Sequence, residues 1–183
     1  MLEISFTPFP LLKTGRLLLR QMTEADAGQV LRLRSDEISM QFLDKPLMQT
    51  LTEAELLIRK INDDVSANEG ITWAIVLKKN PSLLIGTIGL WRIVKDHYRA
   101  EIGYMLLPEY FNKGFMKEAI NEVIKFSFHR LNLHSIEAHI NPANAASAAV
   151  LKTTGFVREA YFRENFYYNG VFKDSAVYSL VKE

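Results

Sequence analysis

Glu101-Ile-Gly-Tyr-Met-Leu-Leu-Pro-Glu-Tyr-Phe-Asn-Lys-Gly114 is the stretch on which the fold of this chain turns. Arg99 to Leu106 reads as a strand, and Pro108, which lacks a backbone N–H, ends it. Beyond Gly114, the residues Met116, Ile120, Val123, Ile124, Ser127, Phe128 and Leu131 recur at helical spacing, which predicts a helix with one buried face. A strand that passes through a glycine-bearing turn into a strong helix aims successive backbone N–H groups at one point. Such a nest suits phosphate oxygens, the glycine permits the curvature, and Lys113 adds a positive charge. An ordinary strand-to-helix turn uses the same residue types, so the stretch alone does not assign a ligand.

On the C-terminal side, Ser135 to Ile140 alternates like a strand and Asn141-Pro-Ala-Asn144 breaks it. Ala145 to Thr153 is rich in helix formers, and Gly155 closes that helix. Asn144 and Ser147, three apart, share the N-terminal end of this helix, where Asn144 also suits a plain cap. Strands near Gly155 to Tyr168 and Ser175 to Val181 flank the turn Asn169-Gly170.

On the N-terminal side, Arg16-Leu-Leu-Leu-Arg20 reads as a strand, and Thr23 caps a helix with Asp26 at its third position. A second helix follows Thr50 or Thr52 and fades in Asn62-Asp-Asp. Thr72 to Leu77 and Leu83 to Ile93 form a hairpin around Lys79-Asn-Pro-Ser82. No repeat, linker or low-complexity run interrupts this order. It predicts one α+β domain over residues 1–183, built on a mostly antiparallel twisted sheet flanked by helices.

Composition narrows the function. With 22 Lys+Arg against 21 Asp+Glu, the net charge of +1 gives no global attraction to nucleic acid or an acidic membrane. The absence of cysteine removes disulfides, thiolate metal sites and a cysteine nucleophile, and points to a reducing, cytoplasmic setting. The start, broken by Pro8 and Pro10 and without a basic region, is unlike a secretory signal, and no apolar run reaches membrane-spanning length. His129, His134 and His139 show no metal-ligand spacing, so no metal is expected.

Taken in order, Thr14 to Arg20, Thr23 to Asp26, Glu101 to Gly114, Asn141 to Ser147 and Gly155-Phe156 resemble the GNAT acetyltransferases, in the branch of bacterial ribosomal-protein N-terminal acetyltransferases. The resemblance covers nearly the whole chain. It implies a GNAT fold in which the strand Glu101 to Leu106 splays from its neighbour at a bulge and opens a cleft for acetyl-CoA. Backbone groups of Met105 and Leu106 are then expected to pair with the pantetheine. Asn112, Lys113, Gly114, Phe115 and Met116 are expected to hold the pyrophosphate, with Asn144 near the pantetheine end. Two positions depart from the superfamily pattern: Phe111 and Met116 occupy the ends of the phosphate motif, and Leu151 stands where many members carry a proton-donating tyrosine. In the ribosomal-protein branch a serine matching Ser147 is proposed for that task, so the resemblance gives the proton to Ser147 rather than to a tyrosine.

The chemistry implied is direct attack of an amine on the thioester. An α-amino group, with a reference pKa of about 7.7 to 8.0, keeps a usable neutral fraction near neutrality, whereas lysine at about 10.4 demands stronger deprotonation. Glu101, at the start of the cofactor strand, is the first candidate base and Glu164 the second. Tyr161, Phe162, Phe166, Tyr167, Tyr168 and Phe172 read chiefly as strand packing, with Phe42 a candidate wall of the acceptor groove. The acceptor is a protein N-terminus or, alternatively, a small amine such as a polyamine or aminoglycoside. A non-catalytic acyl-CoA sensor is the reading outside catalysis. Either a monomer or a homodimer fits the sequence.

Overall fold

The structure, a computed structural model, describes residues 2–183. Eight strands form one sheet: β1 (Leu12–Lys13), β2 (Leu17–Arg20), β3 (Ile71–Leu77), β4 (Asn80–Val94), β5 (Arg99–Leu106), β6 (Ser135–Ile140), β7 (Val157–Tyr168) and β8 (Val171–Val181). Their order is β1-β2-β3-β4-β5-β6-β8-β7. Every neighbouring pair is antiparallel except β5 and β6. Five helices accompany them: α1 (Ala27–Ser35), α2 (Glu37–Met40), α3 (Leu51–Ser66), α4 (Phe115–His129) and α5 (Ala145–Thr153).

The alternation of β3 shows how the sheet is covered. Trp73 and Ile75 point into the cluster that holds Ala119, Ile120, Val123 and Phe126 of α4 and Leu151 of α5. Ala74 and Val76 point into the opposite cluster, with Val30 and Leu33 of α1 and Ala54 and Ile58 of α3. Period-two side chains on a strand buried on both faces explain why β3 is apolar almost throughout. Trp73 is fully buried, and its indole N–H donates to the Pro10 carbonyl at 2.7 Å, so the polar end of the largest core side chain is satisfied. Each such buried apolar side chain contributes about 1.5–3 kcal/mol.

The N-terminal caps form as their residue types require. The Thr23 backbone N–H donates to the Asp26 carboxylate at 2.8 Å, ahead of α1. Thr50, rather than Thr52, caps α3 by accepting from the Glu53 N–H. Three boundaries differ from the sequence reading, and in the first the hairpin turns at Lys78-Lys79, so that β4 begins at Asn80 rather than Leu83. Helix α3 does not fade at Asn62-Asp63-Asp64: the Asn62 amide donates to the Met22 carbonyl, Lys60 pairs with Asp64 one turn on, and Val65 is buried, which together carry the helix to Ser66. Strand β8 begins at Val171 rather than Ser175, because Asn169 and Gly170, both at positive φ, make a tight turn that lets pairing start at Tyr168 and Val171.

The one parallel pair positions the site. β5 and β6 pair only through Arg99–Ser135, Ala100–Ile136 and Glu101–Glu137. Beyond Glu101, β5 stays with β4 up to Leu106, while β6 follows β8 to Ile140. The two strands therefore part, as expected for the splayed cleft. The register shift beside this point lies across β5 instead, between Trp91 and Val94 of β4, where Arg92 takes φ 47°.

Candidate active site

A cleft of about 740 Å³ opens where β5 and β6 separate. Glu101 to Met105 of β5 form one wall and Ala138 to Ile140 of β6 another, with Asn141, the α5 cap Asn144, Ser147 of α5 and Phe42 also lining it. The Trp91 indole lies across Gly103 so closely that a Cβ there would stand 2.0 Å from the ring, so glycine at that position is what lets the ring sit against the strand.

Ser147 is buried at the N-terminal end of α5, and its hydroxyl lies 2.8 Å from the Tyr104 hydroxyl, reaching across from β5. Burial pushes the Tyr104 phenol up to about 12, against the opposing effect of the Ser147 hydrogen bond. A phenol held neutral so far into the alkaline range keeps its proton throughout the neutral range. The resemblance had assigned the proton to Ser147 and to no tyrosine. A tyrosine nevertheless stands at the serine, delivered by strand β5 rather than by the helix that carries Leu151. In the sequence Tyr104 is one more strand residue, and only the packing of α5 beside β5 brings it to Ser147.

Leu151, the position of the missing acid, is fully buried in the core. Asn144 caps α5, its side-chain oxygen accepting from the Ser147 N–H at 3.0 Å, and it also lines the cleft. Its capping role and its place at the cleft coexist. Glu101 lines the cleft with its side chain 12% exposed, and its carboxylate accepts from Arg92 at 2.8 Å. Glu164 instead sits exposed at φ 50° where the pairing of β7 and β8 is interrupted, and it is not among the residues that line the cleft.

The glycine-bearing turn before α4 is formed. Asn112 and Gly114 both have positive φ, and Gly114, at φ +75°, is the N-cap of α4. No side-chain cap occupies that helix start. Lys113, expected to add its charge here, is folded back: its ammonium donates to the Glu109 carbonyl and lies 5.6 Å from the centre of the Tyr110 ring. Arg16 is a second cation at this turn. It donates to the Lys113 carbonyl at 2.9 Å, sits 4.4 Å above the Phe115 ring and is anchored on Glu118 at 2.7 Å. The sequence reading missed it because Arg16 is 98 residues upstream of Gly114 and reads as a strand-end charge.

Met105 and Leu106 are buried, and past Glu101 their strand has no β6 partner. The Leu106 carbonyl accepts from the Ser39 hydroxyl at 3.3 Å. Phe115 packs against Tyr110, and Met116 against the core that contains α4. An open strand edge, a nest at a helix start and a buried hydroxyl pair together fit a long, thin ligand with a phosphate at one end and a reactive group at the other. Among the described residues no three of His, Cys, Asp and Glu converge as metal ligands, and no helix is long and apolar enough to cross a membrane.

Comparison with known proteins agrees with this geometry. The family model described as "Acetyltransferase (GNAT) domain" matches residues 16–157. The uncharacterized N-acetyltransferase YoaA of Bacillus subtilis (strain 168) is 36% identical over 95% of this chain and 98% of its own length. The spermidine N(1)-acetyltransferase of Vibrio cholerae is 29% identical over 87% of this chain and 90% of its own. The fold superposes with a TM-score of 0.85, at 19% identity and over 94% and 98% of the two chains, on the structure of RimL, a ribosomal L7/L12 α-N-protein acetyltransferase in complex with coenzyme A. Sheet order, splayed cleft and family match agree: this chain belongs to the GNAT acetyltransferase family and is an acetyl-CoA-dependent N-acetyltransferase.

Proposed function

We propose that the chain is a single-domain, cytoplasmic enzyme that acetylates a protein N-terminal α-amino group. The observation that carries the reading is the Tyr104–Ser147 hydroxyl pair, placed where β5 and β6 part. The amine nitrogen attacks the thioester carbonyl carbon of acetyl-CoA. A C–N bond forms, the C–S bond breaks, and the thiolate takes a proton from the Ser147 hydroxyl, which is resupplied by Tyr104, itself reprotonated from water. The proton lost by the amine passes to Glu101, directly or through water, so the products are an amide and the CoA thiol.

Several groups of this chain support that chemistry. The unpaired edge of β5 near Met105 and Leu106 offers main-chain groups to the pantetheine amides, and a backbone N–H aimed at the developing oxyanion is commonly worth about 3 kcal/mol. The turn Asn112 to Met116 receives the pyrophosphate, with Arg16 supplying the charge that Lys113 does not. Asn144 orders the end of α5 on which Ser147 sits.

A small amine is the second reading, favoured by the likeness to a spermidine acetyltransferase. A silent acyl-CoA sensor is disfavoured, since it has no need of a shared proton between two hydroxyls in the cleft. Incubation with labelled acetyl-CoA and a panel of α-amino peptides, lysine peptides and polyamines separates the three. Label on α-amino peptides supports the proposal, label on polyamines alone supports the second reading, and CoA binding without transfer to any amine supports the sensor.

A further inference from the structure

The charged residues lining the cleft do not balance. Asp44, Asp64 and Glu101 are the carboxylates there, and Arg34, Lys45, Lys60 and Arg92 the cations. Each carboxylate already has a basic partner: Asp44 is paired with Lys173, Asp64 with Lys60 at 3.2 Å and Glu101 with Arg92 at 2.8 Å. Arg34 and Lys45 are left over. Neither takes part in a salt bridge or a side-chain hydrogen bond among the described residues.

The two stand close enough to feel each other. Burial holds the half-buried Arg34 guanidinium below its ordinary value. Partial burial and then the like charges of Arg34 and Arg92 do the same to the Lys45 ammonium. Neighbouring cations without a partner in the lining of a partly apolar cleft, beside Phe42, Trp91 and Phe166, repel each other in a way that a bound anion relieves.

The cosubstrate's pyrophosphate does not claim them. The turn that suits it, Asn112 to Met116, is not among the residues that line this cleft. An anion seated there therefore belongs to the other substrate.

Resting on the acetyl-transfer reading above, we propose that the amine acceptor carries a carboxylate that seats between Arg34 and Lys45, so that the enzyme selects acidic acceptors and rejects polyamines. A planar guanidinium suits bidentate pairing with a carboxylate, and an adjacent ammonium adds a point charge. The carboxylate belongs either to an Asp or Glu side chain near a peptide N-terminus or to the main chain of a free amino acid. The chemistry is shared, and the substrates below tell the sources apart.

The test compares kcat/KM for N-terminal Ser or Ala peptides bearing Asp or Glu at the second to fourth positions, the same peptides with Asn, Gln or Lys there, free amino acids, and spermidine. Acidic peptides should exceed their amide counterparts by about tenfold or more, the size of one well-placed ionic contact of about 1.4 kcal/mol. Free amino acids exceeding all peptides would assign the carboxylate to the main chain instead. Arg34→Gln and Lys45→Gln should each abolish most of that preference, and Arg34→Glu should reverse it toward Lys peptides. A purely structural role for Arg34 would produce no such reversal. Acceptor affinity for the CoA-loaded protein, by calorimetry, gives the same ranking without turnover, and Lys45→Gln covers the case in which Arg34 variants fail to fold. Acetylation that is indifferent to acceptor charge, or preference for spermidine, would overturn the inference while leaving acetyl transfer intact. Loss of CoA affinity equal to the loss of acceptor affinity would overturn it too, by giving the cations to the cosubstrate. If no amine of any charge is acetylated, the acetyl-transfer reading fails, and acidic-peptide binding still decides the charge question.

Discussion

The hydroxyl oxygens of Tyr104 and Ser147, 43 residues apart in sequence, meet at 2.8 Å between a strand and a helix that share no backbone hydrogen bond. On the proposed mechanism the pair acts as one unit in delivering a proton. Ser147→Ala should lower kcat by about ten- to a thousand-fold while the acetyl-CoA Kd stays within a few-fold. Tyr104→Phe should cost a comparable factor, and the double variant no more than the worse single one, because both substitutions interrupt one relay. Multiplying losses in the double variant would show two independent roles, and an unchanged kcat in Ser147→Ala would remove the serine from the chemistry.

The raised Tyr104 phenol sets a pH expectation. Its folded value of about 12 lies above the ordinary tyrosine value of about 10, so its neutral form is favoured by the fold. The corresponding stability is fully present below about pH 10 and is lost as the pH rises from there through about 12. Between pH 6 and 9 the rate profile should therefore show no ionisation that Tyr104→Phe abolishes. Steady-state rates across that range check this.

At the phosphate turn, Gly114 holds φ +75°, where a β-branched side chain is strongly disfavoured. Gly114→Val should weaken CoA binding more than Lys113→Ala, whose ammonium is already spent on the Glu109 carbonyl. Arg16→Gln should fall between them, at about tenfold, since a partly exposed cation loses much of its pull to solvent. Calorimetry on the folded variants gives the ranking, and a damaging Lys113→Ala beside a normal Gly114→Val would refute the nest.

Asp26 is 2% exposed, receives two bonds from Arg20 at 2.7 and 2.8 Å and one from the Thr23 N–H at 2.8 Å. Burial alone would raise its pKa, but the hydrogen bonds from Arg20 and Thr23 outweigh it and hold the carboxyl below the ordinary value. With a lowered folded pKa, its stabilisation is present above about pH 4 and is lost as the pH falls below that. Asp26→Asn should cost about 3–5 kcal/mol at neutral pH by leaving the guanidinium without its charge, and should flatten the acid limb of stability. Denaturant melts at pH 7 and pH 3 test both statements.

Much of the fold was legible because its signals are local: Thr23 and Thr50 cap where their residue types require, Pro108 ends β5, and the apolar spacing of α4 marks its buried face. Of the residues the resemblance pointed to, Ser147 and Glu101 line the cleft and Gly114 caps α4. What escaped was set by distance along the chain. Tyr104 reads as one more strand residue until the topology brings α5 against it, and Arg16 and Lys113 exchange roles because an aromatic ring and a nearby carbonyl compete for the lysine. The unbalanced charges at Arg34 and Lys45 could not be seen either, since a chain with a net charge of +1 gives no hint of which cations find partners.

Three residue pairs are the whole backbone ladder between β5 and β6, so the sheet is in effect a five-stranded plate and a three-stranded plate fastened at one corner. A cosubstrate lying along the open edge of β5 adds rungs there that the polypeptide omits. On that view acetyl-CoA is also a strut, and the amides of β6 and β8 should exchange with solvent as a separate unit in the free protein and in step with β4 and β5 once CoA is bound. Each catalytic cycle then ends with the protein giving up part of its own stiffness as the CoA thiol departs.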